Sequence, residues 1–174
     1  MVTATPRHKG NKVLLMKRNM WFTTMELTKS VPISQRQKLQ GLAAYGDIPS
    51  TNYTLDYRAR RLEPEVVDGE ECYVLDLTAK DKKRSTYDRI RYWVSKKRLL
   101  GVKSEYYTVS GMLVKSAIHR YENAVVVQGA RRPFISRIDF RDALRPRLET
   151  TMLFTAPSIR PIPSHVFNVN LMMQ

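Results

Sequence analysis

The chain contains a single cysteine, Cys72, among its 174 residues. One cysteine excludes an internal disulfide framework and a zinc site built on several thiolates. Its surroundings, Cys72-Tyr73-Val74-Leu75, predict a strand interior in which the thiol is a small buried apolar group. Long apolar runs are also missing. No stretch approaches the roughly 18 residues that a membrane-spanning helix needs, and residues 1–10 lack the apolar region of a signal peptide.

Groups that support catalysis or metal binding are few and scattered. The three histidines are His8, His119 and His165, each of which the sequence predicts to be a surface or packing residue. No serine stands in a G-x-S-x-G elbow, and the seven glycines form no phosphate-binding loop. The acidic residues show no metal-ligand spacing, although a glycosidase-type carboxylate pair stays open. We therefore expect no catalytic residues, no metal, no cofactor and no enzymatic activity.

Acidic residues are outnumbered: 30 lysines and arginines face 16 aspartates and glutamates, giving a net charge of +14 and a pI near 10.1. Such a charge suits nucleic acid, anionic lipid or an acidic protein, or is simply a solvated face. Arg89 and Arg91 alternate with Ile90, Tyr92 and Val94, which predicts that the arginines line the wet face of a half-buried strand. Since this alternation needs no partner and no RNA-recognition motif or zinc finger is present, no nucleic acid is expected.

What the sequence does contain is a succession of strand-like segments separated by turn residues. The predicted strands are Lys12–Arg18, Met20–Thr24, Tyr53–Leu62, Cys72–Ala79, Tyr87–Ser95, Leu99–Val109, Met112–Tyr121, Ala124–Val127, Phe134–Phe140, Leu148–Thr155 and Val166–Leu171. Asp68-Gly69 and Ser110-Gly111 are hairpin signals. Short helices are predicted at Ser34–Leu39 and Phe140–Leu144, and Gln40–Asn52 is predicted as a long loop. The spacing indicates one mainly β domain, an antiparallel meander over residues 1–174.

Apolar side chains fall on alternating positions of these strands and form a large surface with almost no helix to cover it. We predict that this hydrophobic face binds a ligand, through residues Tyr73, Leu75, Leu77, Ile90, Tyr92, Val94, Val102, Tyr106, Met112, Val114, Met152 and Phe154. Either the sheet closes on itself, or it leaves a groove for an apolar guest.

The order of short motifs along the chain resembles the outer-membrane lipoprotein-sorting protein family, the LolA-like proteins. The motifs that carry the resemblance are Lys9-Gly10-Asn11-Lys12, Met20-Trp21, Val31-Pro32-Ile33-Ser34-Gln35-Arg36, Leu39-Gln40-Gly41, Gly46-Asp47-Ile48, Asn52-Tyr53, Asp56-Tyr57, Asp68-Gly69, Cys72-Tyr73-Val74-Leu75, Tyr87, Tyr92-Trp93-Val94, Glu105-Tyr106-Tyr107, Ser110-Gly111, Thr150-Thr151, Pro163 and Phe167. No single motif is diagnostic, but their shared order and spacing cover nearly the whole chain.

The resemblance implies a half-open β-barrel with little helix and a periplasmic location, with association with the outer membrane as a further expectation. It further implies that the chain corresponds to the C-terminal portion of the family and lacks the family's N-terminal segment. The expected function is a carrier or binding protein for lipid or lipoprotein acyl chains in lipoprotein sorting. The alternative is an accessory or scaffolding protein of an envelope transport assembly that carries no lipid.

Overall fold

The computed structural model describes residues 12–16, 19–24, 27, 29–32, 52–82 and 85–171. The chain divides into two compact units, one formed by Met1–Lys38 with Arg160–Gln174 and the other by Leu39–Ile159. The helix predicted at Ser34–Leu39 and the predicted loop up to residue 51 lie outside the described residues. A single domain over residues 1–174 stays a prediction.

The first unit contains the strands β1 (Lys12–Met16), β2 (Asn19–Thr23) and β3 (Val31–Pro32). They form an antiparallel sheet in the order β1-β2-β3. Two short 3₁₀ helices, Ser164–Phe167 and Val169–Leu171, follow later in the chain. The strand predicted at Val166–Leu171 is therefore wrong. The preceding prolines favour turns over ladder pairing, and the Val166 N–H donates to the Pro163 carbonyl at 3.1 Å.

The elements of the second unit are a helical turn α1 (Tyr53–Asp56) and the strands β4 (Tyr57–Val67), β5 (Glu70–Ala79), β6 (Arg89–Ser95), β7 (Gly101–Tyr107), β8 (Leu113–Arg120), β9 (Asn123–Val127), β10 (Ala130–Phe134), β11 (Arg137–Asp142) and β12 (Glu149–Leu153). Seven of these strands form an antiparallel sheet in the order β12-β11-β8-β7-β6-β5-β4. The other two, β9 and β10, form a separate hairpin inserted between β8 and β11. Because β4 and β12 end the order, the sheet is not a closed barrel. The predicted mainly β, antiparallel, half-open fold is confirmed.

Two local predictions in this unit are wrong, each because a side chain binds backbone N–H groups. The Asn52 side chain accepts a hydrogen bond from the Leu55 N–H at 3.0 Å, and this cap turns the expected strand start into α1. Phe140–Leu144 forms no helix, since β11 continues to Asp142. There the carboxylate accepts the N–H groups of Leu144 and Arg145 at 2.8 and 2.9 Å and makes a turn.

The β4–β5 hairpin follows the expected turn chemistry. Asp68 and Gly69 have φ values of 49° and 78°, and Val67 pairs with Glu70 across the two-residue loop. Two successive positive φ angles give the backbone twist that matches the strands, and Asp-Gly adopts them at low cost. This hairpin fixes the register of β4 and β5.

Each face of the seven-stranded sheet carries a buried apolar cluster. The larger cluster contains Tyr57, Leu77, Ala79, Tyr87, Ile90, Tyr106, Ala117, Ile138 and Phe140. The smaller contains Cys72, Val74, Trp93 and Val102. Below, the face that carries the larger cluster is called the apolar face. The opposite face, which carries Asp76, Arg89 and Arg91, is called the charged face.

Candidate ligand-binding site

The strand registers place most of the predicted ligand-binding residues on the apolar face. Leu75 pairs with Tyr92, and Leu77 with Ile90, which in turn pairs with Tyr106. Paired residues of antiparallel strands project to the same side of a sheet. The predicted residues that share this face are Tyr73, Leu75, Leu77, Ile90, Tyr92, Val94, Tyr106 and Met152. Alternation alone thus identified one continuous surface across β5, β6 and β7.

The remaining four predicted residues lie elsewhere or contact the cluster differently. Val114 and Phe154 pack against the larger cluster as partly buried side chains. Val102 packs with Trp93 in the smaller cluster, because the register shifts beside Trp93 and interrupts the alternation of β7. Met112 lies in the loop before β8 and is 48 % exposed.

A cavity of about 340 Å³ opens within the second unit and is lined entirely by uncharged side chains. Its lining residues are Tyr53, Tyr92, Tyr106, His119, Tyr121, Pro133, Phe134, Ile135, Ile138 and Phe140. The rings of Tyr53 and Tyr92 lie 4.9 Å apart, and the edge of the His119 ring faces Tyr92 at 6.0 Å. Below, this cavity of about 340 Å³ is called the tyrosine cavity. Its volume lies at the lower end of the range of small-molecule sites, roughly 300–1,000 Å³.

A chain of polar groups lies against the tyrosine cavity. The fully buried Ser104 has its Oγ 2.9 Å from His119 Nε2 and also 2.9 Å from the Tyr106 hydroxyl. Burial lowers the pKa of His119 to about 4, so the imidazole is neutral at pH 7. Because Ser104 donates its one proton to the Tyr106 hydroxyl, His119 Nε2 donates to Ser104, and Nδ1 is an acceptor. The structure therefore provides a polar group that carries no charge.

The hydroxyl groups of Tyr92 and Tyr121 are neighbours in the wall of the tyrosine cavity. Burial raises the pKa of Tyr92, as do its tyrosine neighbours, so that it stays protonated. Burial also raises the pKa of Tyr121. Each neutral hydroxyl carries one proton that it can donate.

A second, larger cavity of about 630 Å³ lies in the same unit and has charged groups in its wall. Its lining residues are Thr86, Tyr87, Asp88, Tyr107, Thr108, Val109, Ser110, Val114, Lys115, Asp142, Leu144 and Arg145. The buried Lys115 ammonium lies 5.1 to 5.4 Å from the ring centres of Tyr87, Tyr106 and Phe140. Tyr106 and Phe140 also line the tyrosine cavity, so these rings belong to a wall between the two cavities.

Ion pairs and cation–π contacts account for much of the basic charge on the charged face. Asp76 accepts from Arg60 at 2.9 Å and from Arg89 at 2.5 Å. Arg91 pairs with Glu65 and also lies 4.9 Å from the centre of the Trp93 ring. This arrangement agrees with the alternation that places Arg89 and Arg91 opposite Ile90 and Tyr92. Trp93 lies on the same face and belongs to the smaller buried cluster, which the alternation did not predict.

Ser104 and His119 lie within the distance of a nucleophile and its base, a pair that the sequence analysis did not predict because fifteen positions separate them. The geometry does not suit nucleophilic attack. Ser104 is 0 % exposed and does not line the tyrosine cavity. Its hydroxyl is also bonded to Tyr106. Within the part of the chain that the structure describes, no three or more histidine, cysteine, aspartate or glutamate residues cluster to hold a metal ion.

Comparison with known proteins supports the fold. A model of an uncharacterized-protein family matches residues 1–174. The chain is similar to a LolA superfamily protein from Nitrosomonas europaea, with 34 % identity, a TM-score of 0.75, and 97 % of this chain and 74 % of that chain covered. No curated protein matches the sequence. The described helices include none that is long and apolar enough to cross a membrane.

Two further solved structures share the fold at lower identity. One is a Vibrio parahaemolyticus domain described as outer membrane lipoprotein-sorting, with 20 % identity, a TM-score of 0.68, and 90 % of this chain and 66 % of that chain covered. The other is a DUF1329 family protein from Desulfovibrio piger, with 18 % identity, a TM-score of 0.70, and 95 % of this chain and 72 % of that chain covered. At these identities the similarity concerns the fold alone.

Proposed function

Because the chain belongs to the LolA superfamily, we propose that it is a non-enzymatic carrier or binding protein for lipid or lipoprotein acyl chains. Its place of action is the periplasm, beside the outer membrane. The similar solved structures are described as a LolA superfamily protein and an outer membrane lipoprotein-sorting domain, and we extend that role to this chain. We predict that the ligand binds to the apolar face.

The observation that carries the proposal is the uncharged tyrosine cavity on a half-open sheet. The cavity is bounded by rings and aliphatic side chains, among them Ile138 and Phe140 from β11. The sheet ends in two edge strands, β4 and β12, and does not close into a barrel. An open sheet with an apolar wall and a cavity of about 340 Å³ suits a guest that is itself apolar.

The energy available from such binding is sufficient. Burying about ten methylene groups at roughly 0.8 kcal/mol each gives about 8 kcal/mol of gross driving force. Part of this is lost in ordering the chain and restricting its motion. The remainder suits a carrier, which must release its cargo as well as hold it.

The charged face suits a partner rather than a cargo. Its arginines project away from the apolar face, and several already pair with carboxylates, as Arg60 and Arg89 do with Asp76. Basic groups on a surface are attracted to anionic headgroups or to an acidic protein. We therefore assign the acyl chain to the apolar face and the membrane or an envelope complex to the charged face.

The test uses two neighbouring residues of the edge strand β12. Met152 pairs with Ile138 on the apolar face, whereas Leu153 is 65 % exposed and lies on the opposite side. Met152→Gln is expected to weaken the displacement of an apolar fluorescent probe by acylated peptides at least fivefold. Leu153→Gln is the matched control and is expected to leave displacement unchanged.

Two outcomes decide the proposal. Extraction of native protein should yield a bound acyl species, detectable by mass spectrometry. A protein that binds neither the probe nor any acyl chain would contradict it. If that protein were still retained by an envelope complex, the accessory role would be supported instead.

A further inference from the structure

We propose that the tyrosine cavity is a polar-group subsite that selects an uncharged acyl ester over a free fatty-acid anion. This inference rests on the proposed carrier function and specifies the chemical class of its cargo. Three observations support it: the absence of charge among the lining residues, the hydroxyl groups in the cavity wall, and the contrast with the larger cavity.

The first observation concerns the lining of the tyrosine cavity. All ten of its lining residues are tyrosine, histidine, proline, phenylalanine or isoleucine. Burial keeps the one ionisable group among them that titrates near neutrality, His119, uncharged at pH 7. A carboxylate that enters loses water and finds no cation among the lining residues, because Arg98 near Tyr121 is paired with Glu70 and Lys115 lies behind the Tyr106 and Phe140 rings. Its burial therefore costs more than that of a neutral ester of the same length.

The second observation concerns hydrogen bonding. An ester carbonyl accepts hydrogen bonds and donates none, so it needs donors. The Tyr121 hydroxyl lines the cavity, and it is the donor that we assign to the ester carbonyl. His119 adds no donor, because its Nε2–H is donated to Ser104 and its Nδ1 only accepts. The cavity thus offers neutral groups to a neutral acceptor.

The third observation is the contrast between the two cavities. The wall of the larger cavity contains Lys115, Arg145, Asp88 and Asp142, so charged groups of a cargo find opposite charges there. Asp142 already accepts from Arg145 at 3.1 Å. Charged and uncharged surroundings are therefore separated within one unit by the rings of Tyr106 and Phe140. Two environments of this kind discriminate between the uncharged and charged parts of an amphiphile.

The experiment compares three ligands with the same twelve-carbon chain below their micelle concentrations at pH 7.5. They are 1-monolauroylglycerol, its ether analogue without a carbonyl, and laurate. Each displaces an apolar fluorescent probe from the full chain. We expect the ester to bind about tenfold more tightly than laurate and about fivefold more tightly than the ether.

Two variants locate the effect. Tyr121→Phe removes one hydroxyl from the tyrosine cavity and is expected to abolish the difference between ester and ether. Tyr107→Phe is the same change outside the tyrosine cavity, at a hydroxyl that donates to Glu105 at 2.6 Å, and should retain that difference. Thermal unfolding checks that both variants are folded, and the ligand comparison on the unmodified chain does not depend on either.

The outcomes separate the inference from the function on which it rests. If all three ligands bind but laurate equals the ester, or the ether equals the ester, the inference is overturned and the carrier function stands. If none displaces the probe, the carrier function fails and the inference with it. Release of laurate from the ester by the protein would contradict both, because it would show hydrolysis.

Discussion

The hydroxyl oxygen of Tyr92 occupies the space in which any other residue at position 101 would carry its Cβ atom. A Cβ built on Gly101 lies 1.7 Å from that oxygen and 2.1 Å from the ring carbon that bears it. The backbone of Gly101 has no left-handed φ, so the need for glycine here is purely steric. Gly101 on β7 thereby allows Tyr92 on β6 to reach the tyrosine cavity.

Gly101→Ala is therefore expected to displace Tyr92 and to destabilise the fold by about 1–3 kcal/mol, as in other overpacked sites. Chemical denaturation gives this difference. Tyr92→Leu removes the clashing ring. Gly101→Ala should therefore destabilise the Tyr92→Leu variant much less than it destabilises the unmodified chain. Strictly additive effects would show that the two residues do not compete for space.

The pH dependence of stability should report the burial of His119. Its pKa is lowered to about 4, whereas an unfolded chain binds the proton near 6.5. Between these values the unfolded state holds more protons, so stability falls as pH falls from 6.5 to 4, by at most about 1.4 kcal/mol per pH unit. Above 6.5 the contribution is fully present, and below 4 it is lost.

His119→Phe isolates this effect from that of the carboxylates. The denaturation midpoint of the variant should change less between pH 6.5 and 4.5 than that of the unmodified chain. Equal slopes for the two proteins would mean that His119 titrates normally in the folded state.

Asp76 should anchor the charged face. Burial alone raises the pKa of its carboxyl, but hydrogen bonds from Arg89 and Arg60 outweigh this and hold the pKa below its usual value. Asp76→Ala leaves both arginines without that acceptor and is expected to cost about 1–3 kcal/mol. Arg60→Ala removes the more exposed partner, at 73 % side-chain exposure, and should cost much less. Denaturation midpoints of the two variants give the comparison.

Cys72 should be inert in the folded protein. The side chain is 0 % exposed, and burial raises the pKa of its thiol, so little thiolate is present at pH 8. A disulfide reagent is expected to label it only at the rate at which the sheet opens, and at once in denaturant. Rapid labelling under native conditions would contradict the packing of Cys72 against Val74, Trp93 and Val102.

Sequence alternation predicted the apolar face because Leu75, Leu77, Ile90 and Tyr92 obey the two-residue period of a strand. It placed Val102 on the wrong face, since a register shift beside Trp93 changes which side the following residues face. Such shifts arise from pairing with a neighbouring strand and leave no clear trace in the sequence of one strand.

The tyrosine cavity was not predictable in the same way. Its residues come from α1, β6, β7, β8, β10, β11 and the connections between them, and only the strand order brings them together. Ser104 and His119 meet because β7 and β8 pair in a register that sets Ser104 opposite Ala117, two positions from the histidine. Periodicity reports which face a residue occupies, not which strands lie side by side.

The two unjoined edges, β4 and β12, have a mechanical consequence. In a closed barrel the number of strands and their stagger fix the diameter, and every strand is held on both sides. Among the strands that the structure describes, β12 pairs only with β11 and β4 only with β5, so widening the space between the edges breaks no ladder hydrogen bond of this sheet. For the carrier function that we propose, the capacity of the apolar face would thus be set by how far the sheet bends, and we predict that cargoes of different bulk bind to one sequence.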